Sequence, residues 1–185
     1  VRNSGALGLV ARTAEMTTLN VLAQESQVNP ERITVFEVDA DGNYRGIRSL
    51  AEVTSPLLDD LAAEQVIGFS DETLALVDEL MARTPQERFA FWTEQARRCI
   101  RCYACRGSCP MCHCSTCYAD KNQPQWFPTA SDGPGNLAWL VVRAFHLAGR
   151  CVGCGACQQA CPAGIPLNVL NATLARSALR HFGQR

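Results

Sequence analysis

Two stretches decide how this chain is read: Cys99-Ile-Arg-Cys102-Tyr-Ala-Cys105-Arg-Gly-Ser-Cys109-Pro110 and Cys151-Val-Gly-Cys154-Gly-Ala-Cys157-Gln-Gln-Ala-Cys161-Pro162. Both follow C-x2-C-x2-C-x3-C-P, and together they use eight of the eleven cysteines. At this cysteine frequency, three further cysteines at fixed offsets from a given one are expected by chance about 2 times in 10,000. The spacing is that of thiolates that ligate cuboidal iron-sulfur clusters in pairs. Such a cluster needs four thiolates at tetrahedral corners, and a short curled segment presents only three. In paired runs of this kind the fourth cysteine of each run serves the other cluster.

Zinc is the competing reading, because four-cysteine zinc sites also use C-x2-C pairs. Zinc needs only two pairs, however, and leaves the third cysteine of each run unexplained. A zinc-stabilised interaction module is the corresponding non-redox function. A disulfide scaffold fits worse still, since the cysteine count is odd and cluster ligation requires free thiolates in a reducing compartment. Gly153 and Gly155 within the second run suit close approach of the backbone to a cluster, where amides hydrogen-bond to sulfur.

The flanks divide into a cysteine-free part and a cluster part. Residues 1–98 contain no cysteine and residues 99–161 contain all eleven. In the first part, Leu7 to Glu25 reads as helical and Asn29-Pro30 as a turn. Ile33, Val35, Phe36 and Val38 then read as a strand that ends in the turn composition Asp39-Ala-Asp-Gly42. One helix and one or two strands cannot cover both faces of a sheet, so this part is expected to dock on other protein. Ser70 suits a helix cap ahead of Leu74, Val77 and Leu80. Thr84-Pro85-Gln86-Glu87 combines a capping box with a first-turn proline, and Phe89, Trp92 and Ala96 recur on one face as far as Cys99. Asn136 suits the cap of a further helix with Leu137, Leu140, Val141, Ala144, Phe145 and Ala148 on its stripe, stopped by Gly149 just before Cys151. A helix thus leads into each run. After Pro166, Leu167, Leu170 and Leu174 mark a last helix, with Ser177 to Arg185 as a solvated end. The expected fold is mainly α: a small partial α/β docking module over 1–83 and a helical cluster domain over 84–185.

Around the runs, Arg97, Arg98, Arg101 and Arg106 lie close in sequence with no acid between Arg97 and Arg106. They can offset the negative charge of a thiolate-ligated cluster or steer an acidic partner. Tyr103 and Met111 are expected to shield a cluster from water, and Trp126-Phe127-Pro128 to pack over a cluster or meet a partner. His146 reads as a helix-packing residue. Cys112, Cys114 and Cys117 are surplus to the runs. With Cys109 they form a four-thiolate set of their own, but if Cys109 serves the second cluster, a third metal or cluster at Cys112, Cys114 and Cys117 needs a further ligand such as His113, Asp120 or a partner's residue.

The helix before each run, the long connection from Cys109 to Cys151 and the words Gly149-Arg-Cys-Val-Gly-Cys-Gly-Ala-Cys-Gln-Gln-Ala-Cys-Pro-Ala-Gly-Ile-Pro-Leu167 resemble the helical two-cluster ferredoxins. These occur in an iron-sulfur subunit of heterodisulfide reductase and in the iron-sulfur subunits of succinate and fumarate reductases. The resemblance covers roughly residues 85 to 175. It implies one 4Fe-4S cluster on Cys99, Cys102, Cys105 and Cys161, and another on Cys109, Cys151, Cys154 and Cys157. Arg98-Cys-Ile-Arg-Cys-Tyr-Ala-Cys-Arg106, Cys109-Pro-Met-Cys, Gln125-Trp-Phe and Arg143-Ala-Phe-His-Leu-Ala-Gly149 are similar to a narrower set. These are the dicluster subunits of heterodisulfide-reductase-like proteins and of deazaflavin-dependent hydrogenase or formate dehydrogenase beta-type proteins. The helix and strand around Thr18 to Val38 resemble the end of the preceding module in that set. Its flavin-binding part lies upstream, so FAD is not expected on this chain, and a start at Val1 rather than Met suggests a natural chain that begins earlier.

Composition narrows the function further. A formal net charge of -1 gives no global argument for nucleic acid. No run approaches the roughly 18 apolar residues of a membrane span, and no signal peptide opens the chain, so a cytoplasmic protein is expected. No Gly-rich dinucleotide loop, P-loop, nucleophile elbow or paired-carboxylate motif is found. Substrate chemistry therefore belongs to other subunits. The expected function is a non-catalytic iron-sulfur subunit of a multi-subunit oxidoreductase of the hydrogenase, formate dehydrogenase or heterodisulfide-reductase kind. It relays single electrons through two 4Fe-4S clusters between a flavin or catalytic subunit and another redox partner. The alternative is a catalytic subunit that reduces a small substrate at a special cluster built from the extra cysteines.

Overall fold

The computed structural model describes residues 5–39, 41–54, 68–121, 123–126 and 128–182. Phe127 and residues 183–185 therefore lie outside the described residues. The fold is mainly α with a small α/β module at its start. Its two compact units divide at Gly68/Phe69, whereas the expected boundary stood at 83/84.

In the first unit, β1 (Leu7–Ala11), α1 (Thr13–Gln24), a 3-10 turn (Pro30–Arg32), β2 (Ile33–Val38), β3 (Tyr44–Ser49) and α2 (Leu50–Thr54) follow one another. β1 pairs in parallel with β2, Leu9 beside Val35, and β2 pairs antiparallel with β3, Phe36 beside Ile47. β1–α1–β2 is thus a βαβ crossover, the connection that a parallel pair requires. Leu7 to Ala11 is strand rather than the expected start of a helix. Its helical signal is weak, with Gly8 costing helix about 1 kcal/mol, and it pairs with a strand more than twenty residues away in sequence. The buried face carries Ala11, Met16, Ile33, Val35 and Leu50, against which Leu19 and Val28 pack. Asp39 closes the following turn by accepting from the amides of Asp41 and Asn43 at 3.0 and 2.8 Å.

The second unit is helical. Ser70 caps α3 (Asp71–Ala82) by accepting from the Thr73 amide at 3.2 Å. α3 belongs here because it packs on the last helix, α8 (Leu167–Phe182), where Arg176 meets Asp78 at 2.6 Å. α4 (Pro85–Arg98) starts on the expected capping box: Thr84 Oγ1 accepts from the Glu87 amide, and the Glu87 carboxylate accepts from the Thr84 amide at 2.8 Å. Its buried face is Gln95 and Ala96, while Phe89 is 65% exposed and does not join the stripe expected of it.

α4 packs against α6 (Gly133–Leu147). α6 begins earlier than expected, because the Asp132 carboxylate, followed by Pro134 in the first turn, accepts from the Gly135 amide at 2.7 Å. Asn136, expected as the cap, is instead inside the helix and buried. The stripe turns with it: Trp139, Leu140, Arg143, Ala144 and Leu147 are buried, and Phe145 is 63% exposed. α8 runs to Phe182, and its described residues from Ser177 on are helical and exposed or partly exposed, as a solvated end requires. The core of this unit gathers Ala96, Cys105, Ala119, Trp139, Leu140, Cys157, Ile165 and Leu167, so two run cysteines are themselves core residues.

Candidate iron-sulfur site

Each long helix delivers its run in the same way. The Cys99 amide closes the end of α4 on Ala96 O at 3.1 Å, and the Cys151 amide closes the end of α6 on Leu147 O at 2.8 Å. Each chain then takes two left-handed steps. In the first run they fall at Arg101 (φ 52°) and Tyr103 (φ 61°), in the second at Gly153 (φ 70°) and Gly155 (φ 74°). One helical turn follows in each, α5 (Ala104–Gly107) and α7 (Ala156–Gln159), and then the fourth cysteine and its proline. The left-handed steps curl the backbone so that thiols three positions apart converge on one side, which an extended or regular helical segment cannot do.

Two cavities result. The first is lined by Cys99, Cys102 and Cys105 of the first run and Cys161 of the second, with Ile100, Tyr103, Trp139 and Ile165 among its apolar walls. The second is lined by Cys151, Cys154 and Cys157 of the second run and Cys109 of the first, with Met111, Asn168 and Asn171. Burial repeats as well: Cys105 and Cys157 are buried, Cys102 and Cys154 are exposed, and the first and fourth cysteines of both runs are intermediate. Ser108 Oγ donates to Ala156 O at 3.3 Å and Arg98 donates to Ala163 O, so the runs are tied directly to each other.

Burial and a nearby buried cation set the electrostatics of the thiols in opposite directions. Burial pushes the Cys105 thiol up to about 11, against the pull of the Arg143 guanidinium, with Cys157, Cys99 and Cys161 raising it further. Burial raises Cys157 too, again opposed by Arg143. Cys109 goes the other way, to about 6, chiefly because the Cys112 thiol donates to it, burial opposing. The Met111 and Cys112 amides and the Arg143 charge add to the lowering. Cys112 is raised correspondingly, since its proton is held by Cys109. Cys109 is therefore the acceptor, and Cys112 supports it.

The site suits an anionic inorganic cluster. Three buried donors facing this region, Arg101 Nη1, Trp139 Nε1 and Arg143 Nε, have no hydrogen-bond partner among the described residues. Arg101 and Trp139 line the first cavity. Acceptors are what they lack, and the sulfurs of a cluster supply acceptors. Besides Cys109, sulfurs of both runs already accept from the protein: Cys99 Sγ from the Arg101 amide at 3.4 Å, and Cys157 Sγ from Asn171 Nδ2 at 3.7 Å. Among the described residues no three His, Cys, Asp or Glu side chains form a single-ion group, and Cys112, Cys114 and Cys117 are not drawn together into one. Cys114 is exposed, and Cys117 packs on the core.

Tyr103 and Met111 stand where shields are expected: Tyr103 lines the first cavity and Met111, almost fully buried, the second. Trp126 is exposed. His146 lies on the exposed side of α6 with its ring 5.9 Å from that of Tyr118, and His113 Nε2 meets Arg150 Nη2 at 3.0 Å. Of the arginines beside the first run, Arg101 is buried in the site; its Nε donates to Asn136 Oδ1 at 3.0 Å, and it stands 5.7 Å over the Trp139 ring. Four residues that shape the site do not stand out in the sequence: Asn136 in this role, Trp139, Arg143 and Asn171. Arg143 left a signal, being a charge on the buried stripe that Leu140, Ala144 and Leu147 define.

Residues 95–165 match the family of the 4Fe-4S dicluster domain. Over 76 residues the chain is 37% identical to the F420-dependent formate dehydrogenase subunit beta of Methanocaldococcus jannaschii, a match covering 41% of this chain and 20% of that protein. Over 57 residues it is 35% identical to the F420-dependent formate dehydrogenase 1 subunit beta of Methanococcus maripaludis, covering 31% of this chain and 14% of that protein. The chain thus spans a fifth or less of the length of these curated relatives. It carries an iron-sulfur dicluster domain of the ferredoxin type, and no helix among the described residues is long and apolar enough to cross a membrane.

Proposed function

We propose that this chain is the electron-relay part of a multi-subunit oxidoreductase, holding one 4Fe-4S cluster on Cys99, Cys102, Cys105 and Cys161 and another on Cys109, Cys151, Cys154 and Cys157. The observation that carries the reading is the composition of the two cavities, each lined by three cysteines of one run and the last cysteine of the other. A 4Fe-4S cluster supplies reversible one-electron storage at a potential that its surroundings set.

The protein's own groups do the rest. Cys105 and Cys157 are the buried corners and belong to one core cluster, so the inner ends of the two sites approach each other. Cys102 and Cys154 are the exposed corners, which gives each site one face toward a redox partner. Trp139, Tyr103 and Met111 keep water from the walls. The path runs from exposed corner to buried corner, across to the second buried corner, and out.

Similarity to formate dehydrogenase beta subunits favours partners in a complex of that kind, or of the related hydrogenase and heterodisulfide-reductase kinds, with the flavin or deazaflavin chemistry on other protein. Anaerobically purified protein is expected to contain about eight iron and eight sulfide per chain. On dithionite reduction its EPR spectrum should be that of two interacting clusters. Zinc in place of iron, or no reducible iron-sulfur signal, overturns the proposal.

A further inference from the structure

The two cavities share a thiol pattern but differ in their walls. Arg101 lines the first, and the position that matches it in the second run is Gly153, which has no side chain to offer. Among the described residues no charged side chain lines the second cavity, whose polar wall groups are the amides of Asn168 and Asn171. Arg150, just ahead of the second run, stands outside that lining, and its Nη2 meets His113 Nε2 at 3.0 Å.

Arg101 is 8% exposed, and two contacts fix its guanidinium. Nε donates to Asn136 Oδ1 at 3.0 Å and Nη2 donates to Ala130 O at 2.9 Å, which leaves Nη1 buried without a partner. Trp139, on the same wall and 1% exposed, leaves its Nε1–H unpartnered as well, with the guanidinium 5.7 Å over its ring. Arg101 forms no ion pair with a carboxylate among the described residues, and Asp120, the acid of this neighbourhood, accepts from the Tyr103 hydroxyl at 2.6 Å. An enclosed cation with no counter-charge and two enclosed donors with no acceptor are each strongly disfavoured. An anion with sulfur acceptors, in the cavity that both residues line, answers all three. Two further guanidinium contacts fall on the same side. Arg98 donates to Ala163 O and Arg143 Nη2 donates to Cys105 O at 2.9 Å, and both carbonyls belong to residues that line the first cavity.

We propose that Arg101, with Trp139 beside it, sets the potential of the first cluster above that of the second, so that an electron on this chain rests at the site of Cys99, Cys102, Cys105 and Cys161. An iron-sulfur centre held by four thiolates is anionic and gains one more negative charge on reduction. A fixed cation and N–H donors facing its sulfurs favour the reduced form and raise the potential. The second cavity has neutral amides for this purpose and lacks the cation, so the two sites are tuned unequally. Transfer of one electron from the second site to the first is then downhill, with no proton moved and no bond broken. The exposed Cys154 marks the entry face and the exposed Cys102 the exit face.

The inference rests on the two-cluster reading above, and the experiment separates the two. Wild-type protein is assayed for iron and sulfide, its potentials are measured by EPR-monitored titration, and the signals are assigned with Cys102→Ser and Cys154→Ser. Fewer than two clusters in wild type defeats the two-cluster reading itself, and the inference with it. With both present, the first cluster should be the easier to reduce. Arg101→Gln should make its reduction at least tenfold less favourable, a drop of about 59 mV or more for a one-electron couple, and leave the second unchanged. Arg101→Lys, which keeps the charge, should recover most of that drop. Trp139→Phe, which keeps the ring and removes the N–H, should lower the first cluster alone by about threefold. A first cluster no easier to reduce than the second overturns the inference while leaving both clusters in place. So does an unchanged first potential in Arg101→Gln, an equal drop in both clusters, or a lysine variant as low as the glutamine one. If Arg101→Gln fails to assemble the first cluster, Trp139→Phe decides: a drop confined to the first cluster supports the inference, and unchanged potentials overturn it.

Discussion

The two cysteine runs hold the same backbone at an offset of 52 residues but reach it with different side chains. Their turn hydrogen bonds correspond one for one. Arg106, Gly107, Ser108, Cys109 and Cys112 donate to Tyr103, Tyr103, Ala104, Arg106 and Cys109, and Gln158, Gln159, Ala160, Cys161 and Gly164 donate to the matching acceptors. At both left-handed steps the second run has glycine, which takes that conformation without strain. The first run has Arg101 and Tyr103, which at about 1–2 kcal/mol each do not. The side chains offset that cost. Arg101 bonds Asn136 and, at 2.9 Å, Ala130 O. Tyr103 donates to Asp120 at 2.6 Å and meets the Trp139 ring edge-on at 5.6 Å between centroids. A cluster-binding curl can thus be built from backbone permissiveness or from side-chain anchoring. The first run uses anchoring and thereby ties itself to α6, the helix that feeds the second.

The sharpest way to break this correspondence is through the fourth cysteines. Cys161→Ser is expected to remove the cluster of the first run and Cys109→Ser that of the second, each taking iron from about eight to about four per chain. The EPR signal lost in Cys161→Ser should be the one lost in Cys102→Ser and kept in Cys154→Ser. Loss of the same signal as in Cys154→Ser would mean that each run serves itself.

The left-handed positions come next in size. Gly155→Ala should destabilise the second run by about 1–2 kcal/mol, since its Cβ would stand 3.2 Å from Asn168 Nδ2 at a backbone φ of 74°. Tyr103→Gly relieves strain yet loses an aromatic contact and a hydrogen bond, so a net loss of about 1 kcal/mol is expected in denaturant titration. A gain in stability would show that the first run's anchoring does not outweigh its strain.

The two feeding helices should respond alike to loss of their caps. Thr84→Ala and Asp132→Ala are each expected to cost about 1 kcal/mol. The α4 cap adds an acid limb. The Thr84 hydroxyl and amide hold the Glu87 carboxyl below its usual range. Its contribution is therefore complete above the ordinary glutamate pKa and fades as pH falls through the lowered one. In Thr84→Ala that part of the pH dependence of melting should shrink, since the hydroxyl is lost and the backbone amide remains. The smallest effect is expected outside both runs. Cys114→Ser, at an exposed thiol, should leave iron at the wild-type value of about eight per chain, and a wild-type content above eight that falls in Cys114→Ser would point to a third site on Cys112, Cys114 and Cys117.

Much of the site is legible because ligand spacing is local. Three of each cavity's four cysteines sit within seven residues, and the capping box at Thr84 and the cap at Ser70 are equally readable, since all of their partners lie within one turn. The departures from expectation share a different cause. Leu7 to Ala11 reads as helix because its partner strand is remote in sequence. Asn136 reads as a cap because its composition suits one, whereas Asp132 and Pro134 start the helix earlier and leave Asn136 to bond Cys99 O at 2.7 Å. The stripe on α6 reads as rotated because an arginine does not count as apolar, although that face is buried against thiols.

Sequence by itself determined the number of ligand runs, their spacing, the helix leading into each and the dicluster class, because these depend on residues a few positions apart. Tertiary structure decided the rest: that the two runs curl identically on different residues, that each cavity is lined by one cysteine of the other run, and that Arg143 is buried on the Cys105 carbonyl. The curl and the Arg143 placement rest on contacts between segments tens of residues apart, and only the packing of α6 against the two runs brings them within reach.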